Sequence, residues 1–141
     1  MTDSKSHQPL RALLFVLSGV CGIAALICLF APGWVLSLTL GSVPPPNTVF
    51  EHALLSALGI FAIPIGYLLC VAARNPVRYA SVVDAMIMLL VLAALVNAYF
   101  ALGHQLEVYY PAGYLIVRAV VQVILAGVLF KLRPAASPVA T

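Results

Sequence analysis

Apolar residues run along this chain in long blocks, separated by short clusters of charge, proline and glycine, and block length predicts the elements. No charge occurs between Arg11 and Glu51, and Leu13 to Phe30 is a helix-forming run that Ala31-Pro32-Gly33 interrupts. A second charge-free block, Ala53 to Ala73, closes at Arg74-Asn75-Pro76. A third, about 77–101, carries Asp84 and Asn97; the fourth, about 112–130, carries Arg118 and closes at Lys131-Leu132-Arg133-Pro134. A helix crossing about 30 Å of hydrocarbon at about 1.5 Å per residue needs about 20 predominantly apolar residues. The pattern therefore predicts four transmembrane helices over about 12–31, 52–73, 77–101 and 112–131. A central arginine costs the fourth about 2.5–3.5 kcal/mol on insertion scales, which its apolar neighbours offset at a few tenths each.

Composition agrees. Of the 141 residues, 64% are hydrophobic and 8% charged, and the mean hydropathy is +1.12. A soluble domain is about 25% charged, so this chain could not cover an aqueous surface. Disorder is excluded by the same apolar content. A net charge of +3 is too small for a nucleic-acid interface. The expected fold class is an all-α integral membrane four-helix bundle, with the lipid bilayer as its first partner.

Orientation follows from the cations. Lys5 and Arg11 precede the first span, Arg74 and Arg78 lie between the second and third, and Lys131 and Arg133 follow the fourth. The connections at about 31–50 and 102–111 contain no Lys or Arg. The positive-inside rule puts both termini and the 74–78 turn in the cytoplasm, as expected of a multi-pass protein of an inner membrane. Residues 1–11 then form a cytoplasmic N-terminal segment, and the Ala/Pro/Ser-rich 134–141 a flexible cytoplasmic tail. A cleaved signal peptide competes for the first block, but its apolar run exceeds the usual ~7–15 residues and Phe30-Ala31-Pro32 is a poor cleavage site, so a retained anchor is expected.

Between the spans, Trp34 and Tyr109-Tyr110-Pro111 read as interfacial anchors, and Leu36 to Leu40 alternates with period two. Small-residue pairs four apart, Ser18/Gly22, Ala62/Gly66 and Ala94/Ala98, mark expected helix contacts, and one such face could pair two copies as a homodimer. Pro64 should bend the second span. Cys21, Cys28 and Cys70 fall inside spans without a CxxC pair, and pack as small apolar residues.

Ionisable groups within spans face the bundle interior, because leaving them in lipid is costly. The candidate buried polar or ligand site comprises Glu51, His52, Tyr67, Asp84, Asn97, Arg118 and Gln122. Tyr114, Arg118 and Gln122 form an i+4 stripe on the fourth helix; His52, Ser56, Gly59, Ile63 and Tyr67 form a small-and-polar face on the second. By depth, Arg118 pairs with Glu51, assisted by Asn97 or His52, while Asp84, Gln122 and Tyr67 form a deeper cluster; an Asp84–Arg118 salt bridge is the competing arrangement. No three or four ligands gather for zinc, His52 and His104 read as interfacial, and no phosphate loop, triad or nucleophile elbow occurs, so no metal, cofactor or catalytic residue is assigned.

The turn Ala72-Ala73-Arg74-Asn75-Pro76-Val77-Arg78-Tyr79, followed by Val82-Val83-Asp84, resembles that of small bacterial four-span proteins of the DoxX-like type, which carry "AARDPxR" there. Asn75 replaces the acid of that motif. The resemblance, over about residues 50–100, implies a compact four-helix bundle. Three functional expectations follow from the residues: a structural or accessory bundle binding an apolar small molecule or a membrane-complex partner; an intramembrane enzyme or quinone-interacting subunit using Asp84 and Glu51; or a small proton-coupled transporter.

Overall fold

A computed structural model of the chain describes residues 7–35, 48–103 and 112–134. The expected Leu36–Leu40 stretch, the Tyr109-Tyr110-Pro111 belt and the tail beyond Pro134 lie outside these residues. The described residues include four long helices: α1 (Gln8–Phe30), α2 (Thr48–Arg74), α3 (Ala80–Leu102) and α4 (Ala112–Leu132). Each is long and apolar enough to cross a membrane. The chain is a four-span, multi-pass membrane protein with an all-α fold.

Local chemistry sets the boundaries. Pro9 stands in the first turn of α1, where its missing N–H costs nothing. At the other end the Ala31 N–H closes on the Ile27 carbonyl before Pro32 starts a further helical turn over 32–35. Between α2 and α3 the Asn75 side chain accepts the Arg78 N–H at 3.2 Å, and the Tyr79 N–H returns to the Asn75 carbonyl. An asparagine serves that turn as an aspartate would, through its side-chain oxygen.

The bundle is two antiparallel hairpins. Helix α1 lies along α2 over its length, α3 along α4, and the two pairs touch far less. In the first hairpin the backbones approach closely. A Cβ added at Gly59 would lie 2.9 Å from Leu29 Cγ, 3.0 Å from the Ala25 carbonyl oxygen and 3.2 Å from Cys28 Cβ. At Gly66 it would meet Cys21 Cβ at 3.3 Å, and the Ser18 hydroxyl donates to the Gly66 carbonyl at 2.7 Å. Of the expected small-residue pairs, Ser18, Gly22 and Gly66 thus line the α1–α2 contact, and Ala94 is buried on α3.

The contacts repeat every seven residues: Ser18 and Ala25 on α1, Gly59, Gly66 and Ala73 on α2. On the second hairpin Val83, Leu90 and Asn97 of α3 and Leu115, Gln122 and Leu129 of α4 recur with the same spacing, and Asn97 meets Gln122. A seven-residue contact repeat is the geometry of left-handed helix pairs.

The hairpins share one core, and it lies wholly toward one end. Leu10 and Leu14 of α1, Leu69, Ala72 and Ala73 of α2, Val83 and Leu90 of α3, and Ala126 and Leu129 of α4 form it. That end also carries Arg11, Arg74, Arg78, Lys131 and Arg133, and is called the basic end here. Toward the far end each hairpin buries its own seam, Ala25 in the first and Ala101, Leu115 and Ala119 in the second.

Candidate functional site

Two heptad stripes show how the shared core gives way. Ala72, Ile65, Leu58 and Glu51 follow one another along α2; Leu132, Leu125 and Arg118 do so along α4. At the basic end Ala72 belongs to the core, and Ile65, Leu125 and Leu132 pack against it. One or two heptads further out Leu58 is 54% exposed and Arg118 is exposed. A heptad drifts by only about 20° on a straight helix, so these residues still point toward the other hairpin. In the far half, then, the stripes that carry Glu51 on α2 and Arg118 on α4 no longer belong to the shared core.

Asn97 and Gln122 belong to the second hairpin and Glu51 to the first. The Asn97 amide donates to Gln122 Oε1 at 2.8 Å, joining α3 to α4 where Val83 and Leu90 would predict another apolar pair. Each amide satisfies part of the other's hydrogen-bonding capacity in a region without water. Glu51 sits in the first turn of α2, where the helix dipole favours an acid, but its Oε2 is buried without a hydrogen-bond partner. His52 lies beside it on the α1–α2 seam; its Nε2 is 3.9 Å from the point a Cβ on Gly33 would occupy. Among the described residues no ion pair joins Arg118 to Glu51 or to Asp84.

Asp84 and Tyr67 are elsewhere. Asp84 pairs with Arg133 at 3.3 Å at the basic end, both side chains half-exposed. Counting α3 from about residue 77 places Asp84 too deep. The helix starts at Ala80, so Asp84 lies only about 6 Å in, within reach of the arginine just past α4. Gln122 is opposite Asn97, about 20 Å along the bundle axis from Asp84, and a cluster of the two cannot form. Tyr67 is 68% exposed on the lipid side of α2, because Gly66 faces α1 and Ile65 and Leu69 face the core. The i+4 face that groups Tyr67 with His52 drifts around the helix, whereas His52, Gly59, Gly66 and Ala73 hold one line.

Two apolar hollows complete the surface. A crevice of about 110 Å³ lies between α2 and α3 near the basic end, lined by Ile65, Leu68, Leu69, Val82, Ala85, Met86 and Leu89. A groove of about 320 Å³ runs along the outside of the α3–α4 seam past Ala94, Ala98, Ala119 and Val123. The glycine heptad and the asymmetry of the shared core are the features that four-residue spacing misses; the seven-residue recurrence of Gly59, Gly66 and Ala73 signals the first. Among the described residues no three His, Cys, Asp or Glu side chains gather as metal ligands. No protein-family model, no curated protein and no solved structure matches this chain, so its resemblance to DoxX-like proteins is carried by the 72–84 turn alone.

Proposed function

We propose that this chain is a non-enzymatic accessory protein of a bacterial-type inner membrane, binding a small, largely apolar molecule between its hairpins in the far half. The observation that supports this reading is that Asn97 and Gln122 are hydrogen-bonded at 2.8 Å in the half of the bundle outside the shared core, the half in which Glu51 and Arg118 also lie. The same half carries apolar residues such as Leu58, and pockets for apolar ligands combine apolar walls with a few placed polar groups. An ionisable side chain at membrane depth is by default a pointer to a site. Two other polar pairs are engaged between helices: Asp84 with Arg133, and Ser18 with the Gly66 carbonyl. The cations at the basic end set both termini and the α2–α3 turn on the cytoplasmic side.

Photolabelling of the reconstituted protein with an aliphatic diazirine alcohol, competed by its unlabelled parent, tests the reading. Saturable labelling at Leu58, Asn97 and Gln122 is expected, lost in a Leu58→Trp variant that fills the proposed site and elutes normally. Labelling that excess parent does not compete, spread evenly over lipid-facing positions such as Val120 and Ile124, contradicts it. One observation favours a second reading, a small proton-coupled transporter: the buried Oε2 of Glu51, which has no hydrogen-bond partner among the described residues. Proton uptake into vesicles that Glu51→Gln abolishes would select that reading.

A further inference from the structure

We propose that the crevice between α2 and α3 is a binding site for an anionic phospholipid, one acyl chain lying in the crevice and the headgroup phosphate held by Arg78. The crevice walls are wholly apolar, and Leu68 and Leu89, about half-exposed, leave it open sideways to the membrane. Its α3 wall runs from Val82 to Leu89, about 3–14 Å from the start of the helix, which is the depth of acyl chains in a single leaflet. It lies between hairpins, outside the seams that Gly59 and Gly66 close.

Charge selects the occupant. Of the cations at the basic end, Arg11 donates to the Arg74 carbonyl and Arg133 is paired with Asp84. Arg78 is exposed, and among the described residues no carboxylate lies within salt-bridge distance of it. Its guanidinium is 5.6 Å from the Tyr79 ring centroid, and Tyr79 packs against the shared core, so the cation is steadied without being neutralised. The Asn75 side chain fixes the Arg78 backbone N–H in the turn that leads into α3, so Arg78 precedes the α3 wall of the crevice, which begins at Val82. A planar guanidinium in the turn ahead of an acyl-depth crevice matches a phosphate at the hydrocarbon boundary. Arg74 and Lys131, both exposed at this end, favour a headgroup of net negative charge over a zwitterionic one.

Spin-labelled lipids test this in the full chain reconstituted in phosphatidylcholine. The immobilised fraction of spin-labelled phosphatidylglycerol is expected to exceed that of spin-labelled phosphatidylcholine by about threefold or more. Arg78→Gln should bring the ratio to within about 1.5-fold of unity, while Arg74→Gln and Lys131→Gln leave most of the preference. Ala85→Phe, which fills the crevice, should lower the immobilised fraction of both lipids, with elution unchanged in every variant. Equal immobilisation of the two lipids overturns the proposal. So does an equal loss on removing any one of the three cations, which would mean a diffuse surface attraction, or an Ala85→Phe protein that still holds both lipids.

Discussion

At the basic end the two hairpins meet in one core of leucine, valine and alanine; toward the far end the same heptad stripes continue, yet the hairpins part. The sequence of each stripe explains the difference. Where α2 offers Leu69 and Ala72 and α4 offers Leu129, apolar volume interlocks across four helices. Where the stripes reach Glu51, Asn97, Arg118 and Gln122, charge and amide groups take those positions, and only the helix seams remain closed. Lipid competes well with leucine for a helix surface, so cohesion in a membrane rests on close fit and hydrogen bonds. The basic half has the fit, and the polar groups fall in the half outside the shared core.

Substitutions can break this comparison in a graded order, each read as folded yield by gel filtration and as stability by circular dichroism in an SDS titration. The largest effect is expected at Gly59→Leu: a bare Cβ there already lies 3.0 Å from the Ala25 carbonyl oxygen, so a leucine exceeds ordinary overpacking and loss of the folded species is expected. Gly127→Ala, with nothing within 4 Å of the added carbon, should leave stability unchanged. Next, Leu129→Ala in the shared core should cost about 2–5 kcal/mol. Leu58→Ala, at the exposed continuation of the α2 stripe, should cost well under half as much. Similar losses at both positions would mean that the hairpins are joined along their full length.

The smaller effects sharpen the account of the polar groups. Asn97→Leu leaves Gln122 unpaired and should cost about 0.6–1.7 kcal/mol, with Asn97→Leu/Gln122→Leu recovering most of it. Smallest of all is Arg133→Gln or Asp84→Asn. The pair is half-exposed, so the expected cost is below about 1 kcal/mol and shrinks as salt is raised.

Much of this architecture is legible in residue order. Four apolar blocks long enough for a bilayer, closed by Arg74-Asn75-Pro76 and Lys131-Leu132-Arg133-Pro134, specify four helices and place five of the six cations among the described residues at one end. The pairing of polar residues is less legible, because it depends on register, and a shift of three residues in the start of α3 moves Asp84 about 4.5 Å toward the edge, within reach of Arg133. Helix rotation is the other hidden variable. Spacing by four groups Tyr67 with His52 and Gly59, while the packed helices follow a repeat of seven that leaves Tyr67 facing lipid. Which hairpin partner a polar stripe meets depends on contacts between distant segments, and no local pattern carries it.

The central claim, a bundle joined at the basic end and parted at the far end, is tested most directly by pulsed electron–electron distance measurements on spin-labelled pairs in a cysteine-free background. One pair, Ile65/Met86, reports the basic half between α2 and α3; the other, Leu58/Ala93, reports the far half. The account predicts a longer and broader distance distribution for the far pair in nanodiscs. Equal, narrow distributions at both levels would contradict it.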